Sequence, residues 1–509
     1  MFRRVLVSIL LGVAPAVHAQ AAPSRQNISR ELDRFIQQGM RDWEIPGLSV
    51  AVVSGDSVVF SRGYGVRQLG QPGAVDANTL FGIMSTTKAF TAMLIAMLVD
   101  DGTLHWNDPV TKWVPEFQMP DPYVTRALTV KDLLTHSTGL GNADMLWARG
   151  DLTEAEIFRR VRLLAPAYGF RDGFIYQNVM YGLAGEVIAR ATGKPFPEVL
   201  RERIFAPLGM TRSFPTYASM AAANDANTSR AHFRIRDTIR VIEEDKVDLL
   251  AAAGSSWSTA NDMSRWLRFL LDSARVNGRR LVSDSSFRML FTPQVMVSPD
   301  EFYPTQQLTR PHWRTYGLGW FQQDYRGEAV SFHTGSLDGR TAIIGLIPDR
   351  RLGVYVFGNL DHAEFRHALM LKTFDLYLGG QGRDWNVDLK RLYDGLRREG
   401  DSAEVQFERT RISHTQPTLP LAAYAGTFSN PLWGDVVVEL RGDTLHARMG
   451  SSAELAGPLE HWNYDSFRAR LGDGRSSPAR MQFRIGTAGG VTELVVPFLD
   501  GAVFARQVP

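Results

Sequence analysis

The sequence contains no cysteine among its 509 residues. This absence excludes disulfides, thiol nucleophiles and zinc sites built on cysteine. A chain of this length can still bury enough apolar surface to fold without cross-links, and typical domain sizes predict two or three structural units. Hydrophobic residues make up 44% of the chain and charged residues 22%, which is typical of globular proteins.

The chain also has little net charge and few long apolar runs. The formal charge is +2 and falls to zero if Arg3 and Arg4 are removed, so the charge balance does not favour nucleic acid as a partner. Beyond the N-terminal region, the most apolar stretch runs from Ala89 to Val99 and ends at two aspartates. It is too short to cross a bilayer, and we predict no stable membrane span.

Residues 1 to 19 have the pattern of a secretory signal peptide. Arg3 and Arg4 precede an apolar run from Val5 to Val17, and the end of that run begins a small-x-small cleavage signal that ends at Ala19. The alternative, a membrane anchor, is disfavoured because the run is short. We therefore predict cleavage near Ala19 and a periplasmic or secreted protein.

Residues 24 to 380 alternate strand-like and helix-like segments. Helices are expected mostly in the middle of this range, which indicates an α+β sheet domain with a helical insertion. Segments 208–245 and 293–311 are predicted to be long loops, and such loops often form the walls of a site. The predicted strands lie at 47–53, 57–61, 316–321, 341–346 and 352–357.

The last part of the chain has a different pattern. Residues 381 to 420 are first charged and then rich in proline, which predicts a solvated helix and a linker. Residues 421 to 509 contain short alternating segments between Gly-rich turns, and this pattern predicts a small antiparallel β-barrel or sandwich. The predicted strands there lie at 436–440, 444–448, 480–484 and 493–497.

A Ser-x-x-Lys motif occurs once, at Ser85 and Lys88. The chain has only seven lysines, and a chance match is expected about half the time, so the motif alone is weak. Its setting strengthens it, because Thr86 to Val99 predicts a helix that would place both side chains on one face near the N-terminus. Burial would favour the neutral amine that a general base requires, and the helix N-terminus would stabilise an oxyanion.

Two further groups are open to structural or catalytic interpretation. Tyr176 could be a core residue and Asn178 could cap the helix that follows it. His333, followed by Thr334 and Gly335, lies on a predicted strand, where a structural histidine is more common than a catalyst. Their order after Ser-x-x-Lys nevertheless agrees with the serine-lysine motifs of β-lactamases and penicillin-binding proteins.

Across residues 30 to 380 the chain resembles the serine hydrolases of the class C β-lactamase and D-alanyl-D-alanine carboxypeptidase group. The resemblance implies their fold, an antiparallel sheet flanked by helices plus a helical subdomain. The tail from 421 to 508 looks like the small lipocalin-like β domain often appended to such penicillin-binding-protein-like hydrolases. Besides the motifs, the likeness includes the blocks FGIMSTTKAFTAMLIAMLVDDGTLHWNDPVTKWVPEF, LTVKDLLTHSTGL, YQNVMYGLAGEVIARATGKPF, IFAPLGM, AAAGSSWSTANDMSRW and YGLGW.

The resemblance implies catalytic roles for four residues. Ser85 would attack a carbonyl and form an acyl-enzyme, and Lys88 would activate it. Tyr176 would be the general base that passes the proton to the leaving group, and His333 would support proton transfer near it.

The resemblance also implies a binding surface. The backbone N–H groups of Ser85 and Ser336 would form an oxyanion hole. Apart from the resemblance, His136 is predicted to be a structural support of the site rather than a second catalytic base. We predict no metal and no cofactor, because no His-Glu-x-x-His occurs and the other histidines are scattered. The implied substrate-binding residues are Asn178, Thr334, Gly335 and Ser336.

The third motif suggests which bond is cut. His333 stands where class C β-lactamases carry lysine, so a permanent positive charge is lost. We therefore predict a peptidase or amidase of the D,D-peptidase or D-aminopeptidase type, with a small-molecule or peptide substrate. A β-lactamase or carboxylesterase on the same fold and a catalytically silent penicillin-recognising binding protein are the alternatives. The C-terminal domain could cover the cleft or drive homo-oligomerisation.

Overall fold

The computed structural model of the protein describes residues 25–380 and 382–507. The predicted signal peptide, residues 1 to 19, lies outside these ranges. Within them, no helix combines the length and the apolar character that crossing a membrane requires.

An eight-stranded antiparallel sheet forms the centre of the larger domain. The first strand of the chain pairs with both the second strand and the last strand of this domain, so most helices lie in the sequence between the two halves of the sheet. In spatial order the strands are β2 (Ser57–Gly65), β1 (Gly47–Ser54), β14 (Leu352–Gly358), β13 (Arg340–Ile347), β12 (Glu328–Leu337), β11 (Phe321–Tyr325), β10 (Arg314–Tyr316) and β9 (Val295–Met296).

The sheet separates two hydrophobic cores. In β1, Leu48 and Val50 belong to one core, whereas Ala51 and Val53 belong to the other. The central strands are apolar almost throughout because helices cover both faces. Helices α1 (Arg25–Asp42) and α14 (Phe365–Leu378) pack on one face, and α11 (Ala260–Leu271) packs on the other.

The remaining helices and small strand pairs surround this sheet. The helices are α2 (Thr87–Asp100), α3 (Val110–Trp113), α4 (Pro122–Ala127), α5 (Met145–Ala148), α6 (Glu154–Arg160), α7 (Asn178–Thr192), α8 (Phe196–Leu200), α9 (Tyr217–Ala222), α10 (Ala251–Gly254), α12 (Asp284–Phe291), α13 (Gln306–Thr309) and α15 (Trp385–Arg409). The pairs are β3 (Phe81–Gly82) with β6 (Trp257–Ser258), β4 (His232–Ile235) with β5 (Thr238–Val241), and β7 (Arg275–Val276) with β8 (Arg279–Arg280).

Helix α2 lies inside the helical part of the domain. Every residue from Thr87 to Leu98 is buried, as expected for a helix that is apolar on all sides. Its neighbours are α7, α10 and α12. This burial carries Lys88 into the interior of the protein.

Two predictions about this domain are wrong. The strand predicted at 316–321 is instead the turn between β10 and β11. Gly319 has a φ of 84°, and a Cβ there would lie 3.0 Å from the carbonyl oxygen of Lys88, so glycine lets the turn pack against α2. Both predicted loops also contain regular elements: 208–245 contains α9 and the β4–β5 hairpin, and 293–311 contains β9 and α13.

The C-terminal unit is a closed eight-stranded antiparallel barrel, as predicted. Its interior is filled by side chains, with the ring of Phe483 in contact with those of Phe428 and Phe467. The last strand pairs with the first and leaves no free edge. The strands are β15 (Gly426–Asn430), β16 (Gly434–Arg441), β17 (Thr444–Met449), β18 (Ala456–Asn463), β19 (Ser466–Ala469), β20 (Ala479–Ile485), β21 (Val491–Val496) and β22 (Ala502–Arg506).

Candidate active site

Ser85 lies in a 3-10 turn, Met84–Thr86, between β3 and α2. Met84 adopts a φ of 46°, a left-handed conformation that is uncommon for a residue with a side chain. The turn is held from behind because the Thr86 hydroxyl donates to the carbonyl of Ile83 at 2.8 Å. Ser85 is partly exposed while its neighbours are buried, so its hydroxyl is available to a ligand.

The Lys88 amine is fully buried beneath Ser85. Its Nζ lies 3.1 Å from Ser85 Oγ, 2.7 Å from Asn178 Oδ1 and 2.8 Å from the carbonyl oxygen of Ala253. Burial lowers the pKa of Lys88 to about 7, although the negative charge of Asp144 opposes the shift. The spacing of Ser85 and Lys88 in the sequence predicts this contact. Because the pKa of the amine is close to 7, the amine can lose its proton near neutral pH.

Tyr176 lies directly before α7 and faces the same amine. Its ring centre is 4.8 Å from Lys88 Nζ. Burial raises the pKa of Tyr176 well above its usual value, and the hydroxyl of Ser85 acts in the opposite direction. Tyr176 is therefore a neutral phenol at pH 7 in the free protein.

Asn178 is the first residue of α7, and its side chain does not cap the helix. The residue at the N-cap position is Gln177, whose side chain makes no capping bond. The Asn178 amide instead accepts from Lys88 and donates from Nδ2 to both carboxylate oxygens of Asp144, each at 3.0 Å. The interpretation of Asn178 as a helix cap, which the sequence permits, is therefore wrong.

His333 is buried on β12, and both of its ring nitrogens are engaged. Nδ1 donates to the carbonyl oxygen of Thr334 at 2.6 Å, and Nε2 accepts from the Tyr316 hydroxyl at 3.0 Å. Burial lowers the pKa of His333 to about 3, so the ring is neutral. Its centre is 6.2 Å from that of the Tyr176 ring, and its hydrogen bonds run to Tyr316 and Thr334.

The strand that carries His333 passes directly over the nucleophile turn. A Cβ on Gly335 would clash with the carbonyl oxygen of Ile83 and lie 3.1 Å from the backbone nitrogen of Ser85. Ser336 is exposed, and its hydroxyl accepts from Arg366 at 2.8 Å. Glycine at 335 is therefore what allows this strand to approach Ser85 so closely.

The irregular part of the proline-rich segment 293–311, between β9 and α13, forms one wall of the site. The hydroxyl of Tyr303 lies 2.5 Å from Thr334 Oγ1. Partial burial raises the pKa of Glu301, and its carboxyl lies near the backbone N–H of Tyr176. The loop thus places an aromatic and an acidic side chain beside the predicted residues.

His136 supports the segment that carries Tyr176, in agreement with its predicted structural role. Its Nδ1 accepts from the backbone N–H of Gln177 at 2.9 Å, and the ring centres of His136 and Tyr176 are 4.2 Å apart. Burial lowers the pKa of His136 well below its usual value, so the ring is neutral.

Sequence reasoning missed three groups at this site. Asp144 resembles an ordinary residue before a short helix, and the carbonyl of Ala253 belongs to no motif. Tyr303 lies in a loop that was predicted only as a wall. Nothing in the local pattern around these residues indicates that they contact Asn178, Lys88 or the third motif.

The barrel contacts the hairpin that carries the third motif. The side chain of Arg475, only 5% exposed, pairs with Asp338 at 2.7 Å, with Asp473 at 3.0 Å and with Glu454. Asp338 lies in the β12–β13 turn, two residues after Ser336. The barrel therefore touches the rim of the site.

A surface groove elsewhere in the described residues does not overlap with this site. A surface groove of about 680 Å³, bordered by Arg67, Tyr217 and Glu244, contains none of the predicted site residues. No group of three or more His, Asp or Glu residues in the described chain is arranged to hold a metal ion.

Two protein-family models match separate parts of the chain. Residues 32–373 match the β-lactamase family, and residues 410–507 match a domain of unknown function, DUF3471. The unguisins hydrolase ungD of Aspergillus violaceofuscus is 28% identical over 481 residues, which covers 87% of this chain and 82% of that protein.

Two solved structures share the fold over nearly the whole chain. The octameric penicillin-binding protein homologue from Pyrococcus abyssi has a TM-score of 0.61 at 23% identity and covers 92% of this chain and 98% of its own. SurE with D-Leu has a TM-score of 0.52 at 18% identity and covers 94% of this chain and 99% of its own.

Proposed function

Because the chain belongs to the β-lactamase family, whose members are of the serine hydrolase type, we propose that it is a peptidase or amidase that forms an acyl-enzyme through Ser85. The observation that carries the proposal is the buried Lys88 amine, 3.1 Å from the Ser85 hydroxyl, with its pKa lowered to about 7. A buried base of this kind is what activation of a serine requires.

In the proposed reaction the neutral Lys88 amine takes the proton of Ser85 as Oγ attacks the substrate carbonyl. The resulting oxyanion would accept hydrogen bonds from the backbone N–H groups of Ser85 and Ser336. Tyr176, a neutral phenol, would give its proton to the leaving nitrogen and regain one from the Lys88 ammonium. Water would then hydrolyse the ester by the reverse proton path.

The charges around the third motif favour a substrate without a carboxylate next to the scissile bond. His333 is neutral because burial lowers its pKa to about 3. The guanidinium of Arg366 is buried and paired with Glu364 at 3.0 Å. Glu301 adds a negative group near Tyr176. We therefore favour D-aminopeptidase-like amide hydrolysis over D,D-carboxypeptidase or β-lactamase activity, both of which act next to a carboxylate.

The names of two similar proteins support the choice of substrates to test. The relative from Aspergillus violaceofuscus is named for hydrolysis of unguisins, and SurE has been solved with D-Leu. We propose peptides with D-residues as the first substrates for this chain, in linear and cyclic form.

A panel of five substrates tests this function. We expect the highest kcat/KM on D-alanine p-nitroanilide, lower values on N-acetyl-D-Ala-D-Ala and nitrocefin, and no activity with Ser85→Ala. L-alanine p-nitroanilide is the stereochemical control. Rapid turnover of p-nitrophenyl butyrate with none of the amides would replace the peptidase proposal with an esterase.

Covalent labelling tests the nucleophile separately. A fluorophosphonate should label the protein, and Ser85→Ala should not be labelled. Labelling without turnover of any substrate in the panel would favour the silent binding protein, whereas labelling that survives Ser85→Ala would refute the assignment of Ser85.

We also propose that the protein is exported and assembles with itself. N-terminal sequencing of the protein recovered from its native compartment tests cleavage near Ala19. The Pyrococcus abyssi homologue is octameric, and light scattering of the purified chain would show whether this protein forms an oligomer.

A further inference from the structure

We infer that Asp144 is a positioning residue that orients the Asn178 amide and, through it, directs the Lys88 amine at Ser85. The inference rests on the proposed roles of Ser85 and Lys88. It starts from the contact between the Asn178 amide nitrogen and Asp144, whose two carboxylate oxygens both lie 3.0 Å away.

The carboxylate determines which way the amide points. An ionised carboxylate can only accept hydrogen bonds, so it must face the NH₂ group of Asn178 and not its oxygen. Asn178 Oδ1 is then turned toward Lys88 Nζ, 2.7 Å away. A flipped amide would set its oxygen against the carboxylate, which is a repulsive contact, and would turn its NH₂ group toward the lone pair of the neutral amine, which could then no longer face Ser85.

This orientation decides where the lone pair of the Lys88 amine lies. A neutral amine has two N–H groups and one lone pair, and Nζ has three polar neighbours. Asn178 Oδ1 and the carbonyl oxygen of Ala253 can only accept, so they take the two protons. The lone pair is left facing Ser85 Oγ at 3.1 Å, where it can receive the hydroxyl proton.

A purely local role for Asp144 does not account for this contact. The residue precedes the four-residue helix α5, but its side chain makes no capping bond to that helix. Its other donors are Trp147 Nε1 at 2.9 Å and Asn142 Nδ2 at 3.3 Å. Neither of these bonds requires the carboxylate to meet Asn178.

Asp144 is also the source of negative charge near the amine. Burial keeps the histidines neutral by lowering their pKa and the tyrosines neutral by raising theirs. The charge of Asp144 raises the pKa of Lys88 against the effect of burial, and it also adds to the raised pKa of Tyr176. The titratable groups that face the amine are Asp144, His136, His333, Tyr176 and Tyr181.

The test uses the full chain and the rate of fluorophosphonate labelling between pH 5 and 9. In Asp144→Asn the new side chain can donate as well as accept, so the Asn178 amide is free to turn. We expect the plateau rate to fall by about 10–100-fold, the range for groups that orient a functional side chain. The midpoint of the pH curve should also move below that of the wild type, because a charge that raises the pKa of Lys88 is lost.

Three further variants separate positioning from general damage. Trp147→Phe removes another donor to the same carboxylate and should label within about twofold of the wild type. Asp144→Glu retains the charge and the acceptors, and its midpoint should stay near that of the wild type. In an Asn178→Ala background, Asp144→Asn should lower the plateau no further, since the two residues act as one unit.

The outcomes are distinct. Normal labelling of Asp144→Asn with an unchanged midpoint would overturn this inference and leave Ser85 as the nucleophile. A full additional loss of plateau rate in the Asn178→Ala background would also overturn it. A wild-type protein that is not labelled would instead overturn the proposed function, and the inference with it.

Discussion

At the level of single residues, the titratable side chains of the site owe their charge states to burial. The pKa of Lys88 is lowered to about 7, whereas Tyr176 and His333 are both uncharged at pH 7. In the proposed reaction a single group, the amine, changes its charge state within the physiological range. This makes the pH dependence of acylation a direct report on Lys88.

The wild-type labelling rate should therefore rise about tenfold per pH unit below pH 7 and level off above it. The sign follows because the neutral amine is the active form and the pKa of Lys88 is lowered to about 7. Lys88→Met retains the length of the side chain without the base, and we expect a loss of about 10²–10⁴-fold. A rate that stays constant from pH 5 to 8 would contradict the assignment of Lys88 as the base.

Tyr316 should contribute to stability through His333. Tyr316→Phe leaves the buried Nε2 of His333 without its donor and should cost about 1–3 kcal/mol of the free energy of unfolding. The matched control is Tyr325→Phe, whose hydroxyl bonds to Asp375. Asp375 also accepts from Trp385, so the control should cost less. If urea unfolding showed the same loss of unfolding free energy for Tyr316→Phe and Tyr325→Phe, the proposed contribution of the hydrogen bond to His333 would be contradicted.

At the level of elements, the site is made where β12 crosses the start of α2. The helix brings Ser85 and Lys88 together through local geometry, whereas the strand reaches Ser85 only because residue 335 has no side chain. The 3-10 turn between β3 and α2 holds Met84 in a left-handed conformation, which the packing around it must maintain.

Gly335→Ala tests this crossing. The added methyl group would push β12 away from Ser85, and overpacking of this kind costs about 1–3 kcal/mol. Labelling of the folded protein should fall strongly, since the backbone of Ser336 moves with the strand. Gly345→Ala on β13 is the matched control, because its Cβ would meet Met370 Sδ at 2.5 Å, away from the nucleophile. It should lose stability and retain labelling; equal labelling in both variants would refute the argument.

At the level of the whole molecule, the barrel and the hydrolase domain are joined by buried arginines. Arg149 from the helical part donates to the carbonyl oxygens of Trp433 and Asp435 in the barrel. Arg475 from the barrel pairs with Asp338 at the rim of the site. These contacts suggest that the barrel influences which substrates reach Ser85.

Arg475→Met should weaken this junction. Its carboxylate partners are partly exposed, so the expected cost is about 1–3 kcal/mol, less than for a fully buried pair. We expect kcat/KM to change more for long peptides than for D-alanine p-nitroanilide, because Asp338 borders the rim. Arg441→Met removes an exposed pair with Glu439 and should have little effect. Identical changes for short and long substrates would argue against a role of the barrel in selection.

The sequence by itself determined the class of the fold and the candidate motifs. The apolar pattern predicts β1, β2, β13 and β14 of the sheet and β16, β17, β20 and β21 of the barrel. The spacing of Ser85 and Lys88 predicts their contact, because these features depend on residues close together in the chain. The segment 316–321, predicted as a strand, is a turn for reasons that the local pattern does not contain: a Cβ at Gly317 would meet the carbonyl oxygen of Leu290 in α12, and a Cβ at Gly319 would meet that of Lys88 in α2.

Only the tertiary structure decided how the site is completed. Asp144 meets Asn178 across 34 positions of sequence, and Ala253 supplies a carbonyl to Lys88 from a separate helix. Tyr303 reaches Thr334 from a loop without a motif. These contacts arise from long-range packing, which brings together residues that share no local pattern, and burial in that packing sets the charges on Lys88, Tyr176 and His333.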